Sequence, residues 1–525
     1  MRNHLILAAF VLLFLSTPAV STDAVNHAAL ATALNSIQEP DLKHHVQTLA
    51  DDTFEGREAG SRGGRAAGIY LGKEFQKHRL AGAGSQGYYQ SFGGGYRNIL
   101  ARLEGSDPAA RDEVVMVSAH YDHVGYGNAQ NSYGPTGYIH NGADDNASGV
   151  AGLLEMIEAL TLLPTPPRRT IVFAFWDGEE KGLLGSKHWV SSPTIPLSQV
   201  ACLVNMDMIG RLTNNKVEVY GTRTAPGLRR LVALGNRESD LRLDCTWEMI
   251  DNSDHFPFYE RGIPILMLHT GLHGDYHRPS DDVERVQFAG MQRVSRLLFQ
   301  TVYELANRPD RTRFRQRSRG EGVPAQQQIE RPLSALAGRL GVRFDPTADA
   351  LAGVKVTGVD EDAPADRGGM RAGDRIIEFA GTRVSDVPTL RKLVWAAESP
   401  TTALVTRQGI AEPLPLKLQL IGSPVRLGIT WREDDAEPGA IIVTRVVDGT
   451  AASIAGMTAN DRIYEVNGQS FADATEFRKL IAESQGAAVL TVDHGGQIRS
   501  ATVEMPGRQP AADAAASRLP GNRRG

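Results

Sequence analysis

Four nearly uninterrupted apolar runs, EVVMVSA (113–119), RTIVFAFW (169–176), CLVNMDMI (202–209) and PILMLH (264–269), constrain this chain more than any other feature. A strand with one face in water alternates apolar and polar residues. These do not, so they are buried on both faces, which calls for a mostly parallel sheet sandwiched by helices, an α/β fold. The segments between them supply the helices. ASGVAGLLEMIEALTLL places Val150, Leu153, Leu154, Ile157 and Leu160 at helical spacing, and Pro164 ends it. Helical patterns recur at 225–237 and 287–306, and KVEVYG (216–221) reads as a further strand. A Gly-rich loop leads into a helix whose apolar positions are Ile69, Leu71, Phe75 and Leu80.

The polar residues fall at the ends of these runs. His120 follows the first, Glu179 and Glu180 follow the second, and Asp207 lies in the third. Open α/β sheets bind ligands beyond the carboxyl ends of their strands, so these groups can converge at one edge. Asp144 precedes the Val150 helix, with Asn146 or Ser148 as its cap. Together with His277, the set His120, Asp144, Glu180 and Asp207 has the carboxylate and imidazole character that divalent metals prefer. Three carboxylates facing two Zn²⁺ leave a formal charge of roughly +1, able to polarise a carbonyl. Of the paired acids, one binds metal while the other accepts a proton from the attacking water and passes it to the leaving amine. Asp122 stands two residues beyond His120 and can orient that imidazole. His123 and His140 are read as non-ligands, and 125–137 as a plain loop or a mobile rim.

The motifs AHYDHVG, NGADDNASG, FWDGEEKGLLGS, NMDMIG and DYHRPSDD, in that order over residues 120–282, resemble those of the M28 family of zinc aminopeptidases. The resemblance implies two Zn²⁺ per peptidase domain, with Asp144 bridging. His120 and Asp207 complete one metal, Glu180 and His277 the other. Glu179 is the general base for a metal-bridged water, and Asp122 supports catalysis. It further implies a cis peptide at Asp144–Asp145, and Asp254 and His255 as supports of the pocket. The substrates implied are peptides with a free N-terminus. Other reactions of the same fold stay open: carboxypeptidase, N-acyl amino acid hydrolase, or single-zinc glutaminyl cyclase.

Residues 1–22 carry Arg2, the apolar run LILAAFVLLFL and the small-residue exit STPAVS. They read as a signal peptide, placing the protein in the periplasm or outside the cell, with no stable membrane insertion after cleavage. Cys202 and Cys245 form one bridge or stay as buried thiols. The net charge of −5 over 525 residues gives no field favouring nucleic acid. The peptidase domain is expected over 23–306. Residues 307–332 hold seven Arg and almost nothing apolar, and read as a solvated linker. Beyond it the chain repeats with a period of 87, GMRAGDRIIEFAG (369–381) matching GMTANDRIYEVNG (456–468). Asn460 stands where the first copy has Gly373, as a backbone turn through positive φ allows. The two copies, 333–422 and 423–507, resemble small β-rich PDZ domains. Such domains bind protein or peptide C-termini near Leu340–Gly341 and Leu427–Gly428, unless they only pack on the peptidase. Residues 508–525 read as disordered.

Overall fold

A computed structural model describes residues 22–333, 338–344, 352–422, 424–425, 427–484 and 486–504. The readings of a signal peptide up to residue 21 and of a disordered tail at 508–525 lie outside the described residues. The first unit is built from helices α1 (Thr22–Ser36), α2 (Glu39–Leu49), α3 (Arg62–Lys77), α4 (Gly149–Thr161), α5 (Leu184–Ser191), α6 (Leu228–Gly235), α7 (Phe256–Glu260) and α8 (Phe288–Asn307). Its strands are β1 (Ala81–Gly82), β2 (Tyr89–Phe92), β3 (Tyr96–Leu103), β4 (Val114–His120), β5 (Thr170–Trp176), β6 (Val200–Met206), β7 (Lys216–Tyr220), β8 (Arg242–Cys245) and β9 (Ile265–His269). They form one sheet in the order β1-β3-β5-β4-β6-β9-β7-β8, with β2 beside β3.

The four apolar runs are the centre of this sheet, β5-β4-β6-β9, and pair in parallel. The outer strands β3 and β7 join antiparallel, so the sheet is mixed. Strand alternation sorts the core into two layers. Val115, Val117, Phe173, Phe175, Val204 and Leu268 pack with α2, α3, α4 and α8 on one face. Met116, Val172, Trp176 and Ile265 pack with Trp189 of α5 and Phe258 of α7 on the other. On α3 the buried stripe is Ala67, Gly68, Leu71, Gly72 and Phe75, whereas Ile69 is exposed. A Cβ at Gly72 would stand 2.7 Å from the Tyr89 hydroxyl, so the helix approaches its sheet over glycine. The N-terminal segment is helical and part of the core, through Ala33, Leu34 and Ile37 and then Leu42, Val46 and Leu49 of α2. Cys202 and Cys245 are separate buried thiols.

Residues 307–332 are a packed strap rather than a solvated hinge, and end in helix α9 (Val323–Ile329). Arg311 donates to the Val200 carbonyl at 3.1 Å, and Arg319 to the Tyr259 carbonyl at 3.0 Å. Two six-stranded sheets follow, with the same strand order at an offset of 87 residues. Gly373 has φ +95° and Asn460 φ +71°, so the substitution does mark a left-handed turn. The second of these units is docked on the first sheet. The Leu243 amide of β8 donates to the Gly495 carbonyl at 2.8 Å, Asn236 to Gly496 at 2.9 Å, and Arg229 to the Asp493 carboxylate at 3.2 Å.

Candidate metal centre and active site

The carboxyl ends of β4, β5 and β6, together with the turns after β5 and β9 and the entry to α4, converge on one buried carboxylate, that of Asp145. Its Oδ1 lies 3.4 Å from His120 Nε2, which is itself 3.4 Å from Asp207 Oδ1. Its Oδ2 lies 3.1 Å from His277 Nε2, which is 3.0 Å from Glu180 Oε2. Two donor clusters thus share Asp145: His120, Asp145 and Asp207 on one side, and His123, Asp145, Glu180 and His277 on the other. Asp145 Oδ2 and His277 Nε2 are buried without a hydrogen-bond partner, although they lie 3.1 Å from one another. Donors held this close and out of hydrogen-bond alignment suit a pair of divalent cations between them.

The electrostatics point the same way. Burial acts to raise the Asp145 carboxyl, but His123, His120 and His277 outweigh it and hold it well below the usual carboxylate range. Burial acts to neutralise His277, yet Asp145 and Glu180 lift its imidazole to about 10. Protons on these imidazoles are what cations would displace, so binding should release them. Burial pushes Glu179 well above the ordinary range, with His120 opposing, and pushes Asp254 up to about 7.

Residues 98–302 match the description Peptidase family M28, and 338–408 and 442–492 each match a PDZ domain. The chain carries an M28 peptidase domain followed by two PDZ domains. Leupeptin-inactivating enzyme 1 of Streptomyces exfoliatus is 26% identical over 67% of this chain and 77% of its own length. Aminopeptidase YwaD of Bacillus subtilis is 30% identical over 37% of this chain, which spans only 41% of that relative. Among solved structures, the LapA aminopeptidase of Legionella pneumophila aligns with a TM-score of 0.46 at 19% identity, over 59% of this chain and 81% of that one.

Within the M28 domain, His120, Glu180, Asp207 and His277 meet as the motifs implied, and Glu179 stands beside them. The central carboxylate is a correction: it belongs to Asp145, not Asp144. Gly142 turns the chain through φ +55°, where a Cβ would stand 2.1 Å from the Asp145 carbonyl, and the tight turn 143–148 then sends the two aspartates in different directions. Asp144 Oδ1 accepts the Gly210 amide at 2.6 Å and the Ser148 hydroxyl at 3.0 Å, while its Oδ2 faces His273 at 3.1 Å. The cis peptide lies correspondingly at Asp145–Asn146. Asn146 rather than Ser148 caps α4, its Oδ1 accepting the amides of Gly149 and Met208.

His123, set aside in the sequence reading, stands inside the second cluster with Nδ1 2.8 Å from Glu180 Oε1. The signal was present in His-Tyr-Asp-His, whose last residue stands three past His120, just beyond the end of β4. The Asp122 backbone carbonyl, 3.2 Å from His120 Nδ1, orients that imidazole, whereas the Asp122 carboxylate, expected in that role, stands 3.8 Å away. It accepts the Glu179 amide at 3.0 Å and the Glu180 amide at 3.4 Å, so one carboxylate aligns both acidic residues. Asp281 does the same for the aspartate pair, accepting the amides of Asp144 and Asp145 at 3.1 and 3.0 Å. Arg57, fully buried, stitches the loops together by donating to the carbonyls of Leu49, Tyr121, Asn141 and Gly142 at 2.6–3.0 Å.

Proposed function

We propose that this chain is an exported, two-zinc aminopeptidase that removes residues from free N-termini, with its PDZ domains engaging peptide or protein ends. The observation that carries the reading is Asp145, whose two carboxylate oxygens face two different donor clusters. His120 and Asp207 would hold one zinc with Asp145, and Glu180 and His277 the other, with His123 beside them. Zinc bound there supplies Lewis acidity toward the scissile carbonyl and makes water more acidic. The remaining work falls to protein groups. Glu179, at the cluster's edge and raised by burial, is suited to take a proton from the attacking water and deliver it to the departing amine. Asp122 keeps the Glu179 and Glu180 backbone fixed while this happens. The names of the relatives support the aminopeptidase reaction, and the pattern of residues 1–22 supports export.

The first PDZ domain supports the ligand-binding part of the proposal. A cavity of about 260 Å³ lies among Leu340, Val342, Phe344, Leu390 and Val394, closed on one side by Val446 and Val447 of the second PDZ domain, and is apolar enough for a C-terminal side chain beside the Leu340–Gly341 backbone. The test is release of amino acids from peptides with free and with blocked N-termini, before and after chelation. Release from free termini that stops on chelation and returns with zinc is expected; cleavage of blocked peptides at equal rate refutes the reading. Glu179→Gln should keep both zinc ions and lose turnover by roughly 10²–10⁴-fold.

A further inference from the structure

Several buried arginines join the second PDZ domain to the rest of the chain, and one of them, Arg223, leads toward the active site. Arg223 follows β7 in the M28 domain and is 7% exposed. Its guanidinium is forked by two carboxylates. Glu321 of the strap accepts Nε and Nη2 at 2.8 and 3.1 Å. Asp434 of the second PDZ domain accepts Nη1 and Nη2, both at 3.0 Å. One face of the same guanidinium lies 3.7 Å from the centre of the Trp247 ring. Bidentate pairing fixes the plane of an arginine, and that plane is what the indole packs against.

Trp247 opens the segment 246–253, which joins β8 to α7 and contains neither strand nor helix. Its first half is held by the Thr246 amide on Asp244, the Glu248 amide on Thr246 and Met249 packed against the core layer that contains Phe258. From outside the M28 domain's own core it is held by Gln326 of α9, which accepts the Trp247 amide, and by Arg223, on which the indole lies. Its far end enters the reaction centre. Ser253 accepts from Asn205 at 2.9 Å, two residues before Asp207. Asp254 accepts from Ser186 at 2.5 Å, on the helix that follows Glu179, and its carboxylate is one of the charges felt by Glu179. His255 is completely buried, 6.2 Å from the Tyr220 ring.

We infer that Asp434 is a positioning residue for the peptidase: by fixing Arg223 under Trp247, the second PDZ domain sets the segment 246–255, whose far end bonds to Asn205 and Ser186 beside Asp207 and Glu179 and so borders the place where substrate would bind. This rests on the aminopeptidase reading for its kinetic consequence. The proposed zinc ligands and Glu179 stand at strand ends outside the segment, so its loosening weakens substrate binding more than chemistry. Asp435 is the internal control, since it pairs with Arg315 and not with Arg223.

The experiment uses the full-length zinc-loaded chain as Asp434→Ala, Asp434→Glu and Asp435→Ala. Hydrogen exchange over 246–253 and KM and kcat on free-N-terminal peptides are measured. Asp434→Ala should speed exchange in that segment and raise KM by roughly 3- to 30-fold, the usual span for coupling through a packed network. Its kcat should stay within about twofold. Asp434→Glu should restore both readouts in part, and Asp435→Ala should change neither. Should Asp434→Ala fold poorly, Arg223→Lys keeps the charge and removes the fork, with the same expectations. Unchanged exchange in 246–253, or equal effects of Asp434→Ala and Asp435→Ala, overturns the inference. An inactive wild-type chain instead sinks the aminopeptidase reading, and the exchange measurement still decides the positioning.

Discussion

Asp145→Asn and Asp144→Asn form a paired test of which aspartate holds the centre. Both changes are nearly isosteric, and both residues are buried with their amides on Asp281. At Asp145 the change removes a charge shared between two clusters whose donors lie 3.1–3.4 Å away. A unit charge pair at 4 Å and an effective dielectric of about 20 is worth about 4 kcal/mol, so each zinc should be held about a thousandfold less tightly. At Asp144 the amide oxygen can keep the Gly210 and Ser148 hydrogen bonds, and only the contact to His273 changes sign. That is a loss in the surroundings of the site, worth about 10- to 100-fold in activity with the metal retained. Metal analysis after dialysis against buffered zinc reads this directly. Two zinc per chain in Asp144→Asn and well under one in Asp145→Asn are expected. The opposite pattern would refute the assignment of the central carboxylate.

Asp122→Asn should keep zinc but lower kcat/KM by about 10- to 100-fold, because its amide cannot accept both backbone N–H groups of the Glu179–Glu180 turn. Arg57→Met leaves four carbonyls without their charged donor and should destabilise the M28 domain by at least about 3 kcal/mol in urea melts. Glu321 carries a pH prediction. Burial works to raise it, but Arg315 and Arg223 hold its carboxyl down to about 2. A depressed folded-state pKa contributes stability above the unfolded value and loses it as pH falls through the folded one. Packing of the strap on the M28 domain should therefore hold at neutral pH and weaken between about pH 4.5 and 2. Calorimetry with Glu321→Gln checks this, since the variant should flatten the slope in that window.

The centre of the sheet was readable because strands buried on both faces are apolar along nearly their whole length. The edge strands were less so: β3 carries Arg97, Asn98 and Arg102 among its apolar residues, and its antiparallel pairing with β5 joins residues from Leu103 and Ile171 to Ile99 and Phe175, far apart in sequence. The choice between Asp144 and Asp145 could not be made by spacing, since adjacent residues satisfy it equally. It is decided by the turn that Gly142 begins and by Ser148 and Gly210 capturing the first carboxylate. Helix α2 hid in polar composition, its apolar positions Leu42, Val46 and Leu49 few but helically spaced. The strap misled for a different reason: its arginines look solvated until Arg315 meets Asp435, 120 residues away in sequence, beside Glu321, and Arg311 and Arg319 reach the carbonyls of Val200 and Tyr259.

Strand β8 ends the large sheet, and its outward-facing backbone is the row of groups to which a foreign strand could add. The turn at Gly495–Gly496 occupies that row: Leu243 donates to Gly495, and a Cβ at Gly496 would stand 2.3 Å from the Leu243 side chain. The glycine-only contact keeps the hairpin tip flush with the strand. The C-terminal domain thus acts as a stopper for the catalytic sheet. A chain truncated before residue 427 would present β8 to its neighbours, and self-association rather than loss of catalytic groups would be the first symptom of its removal.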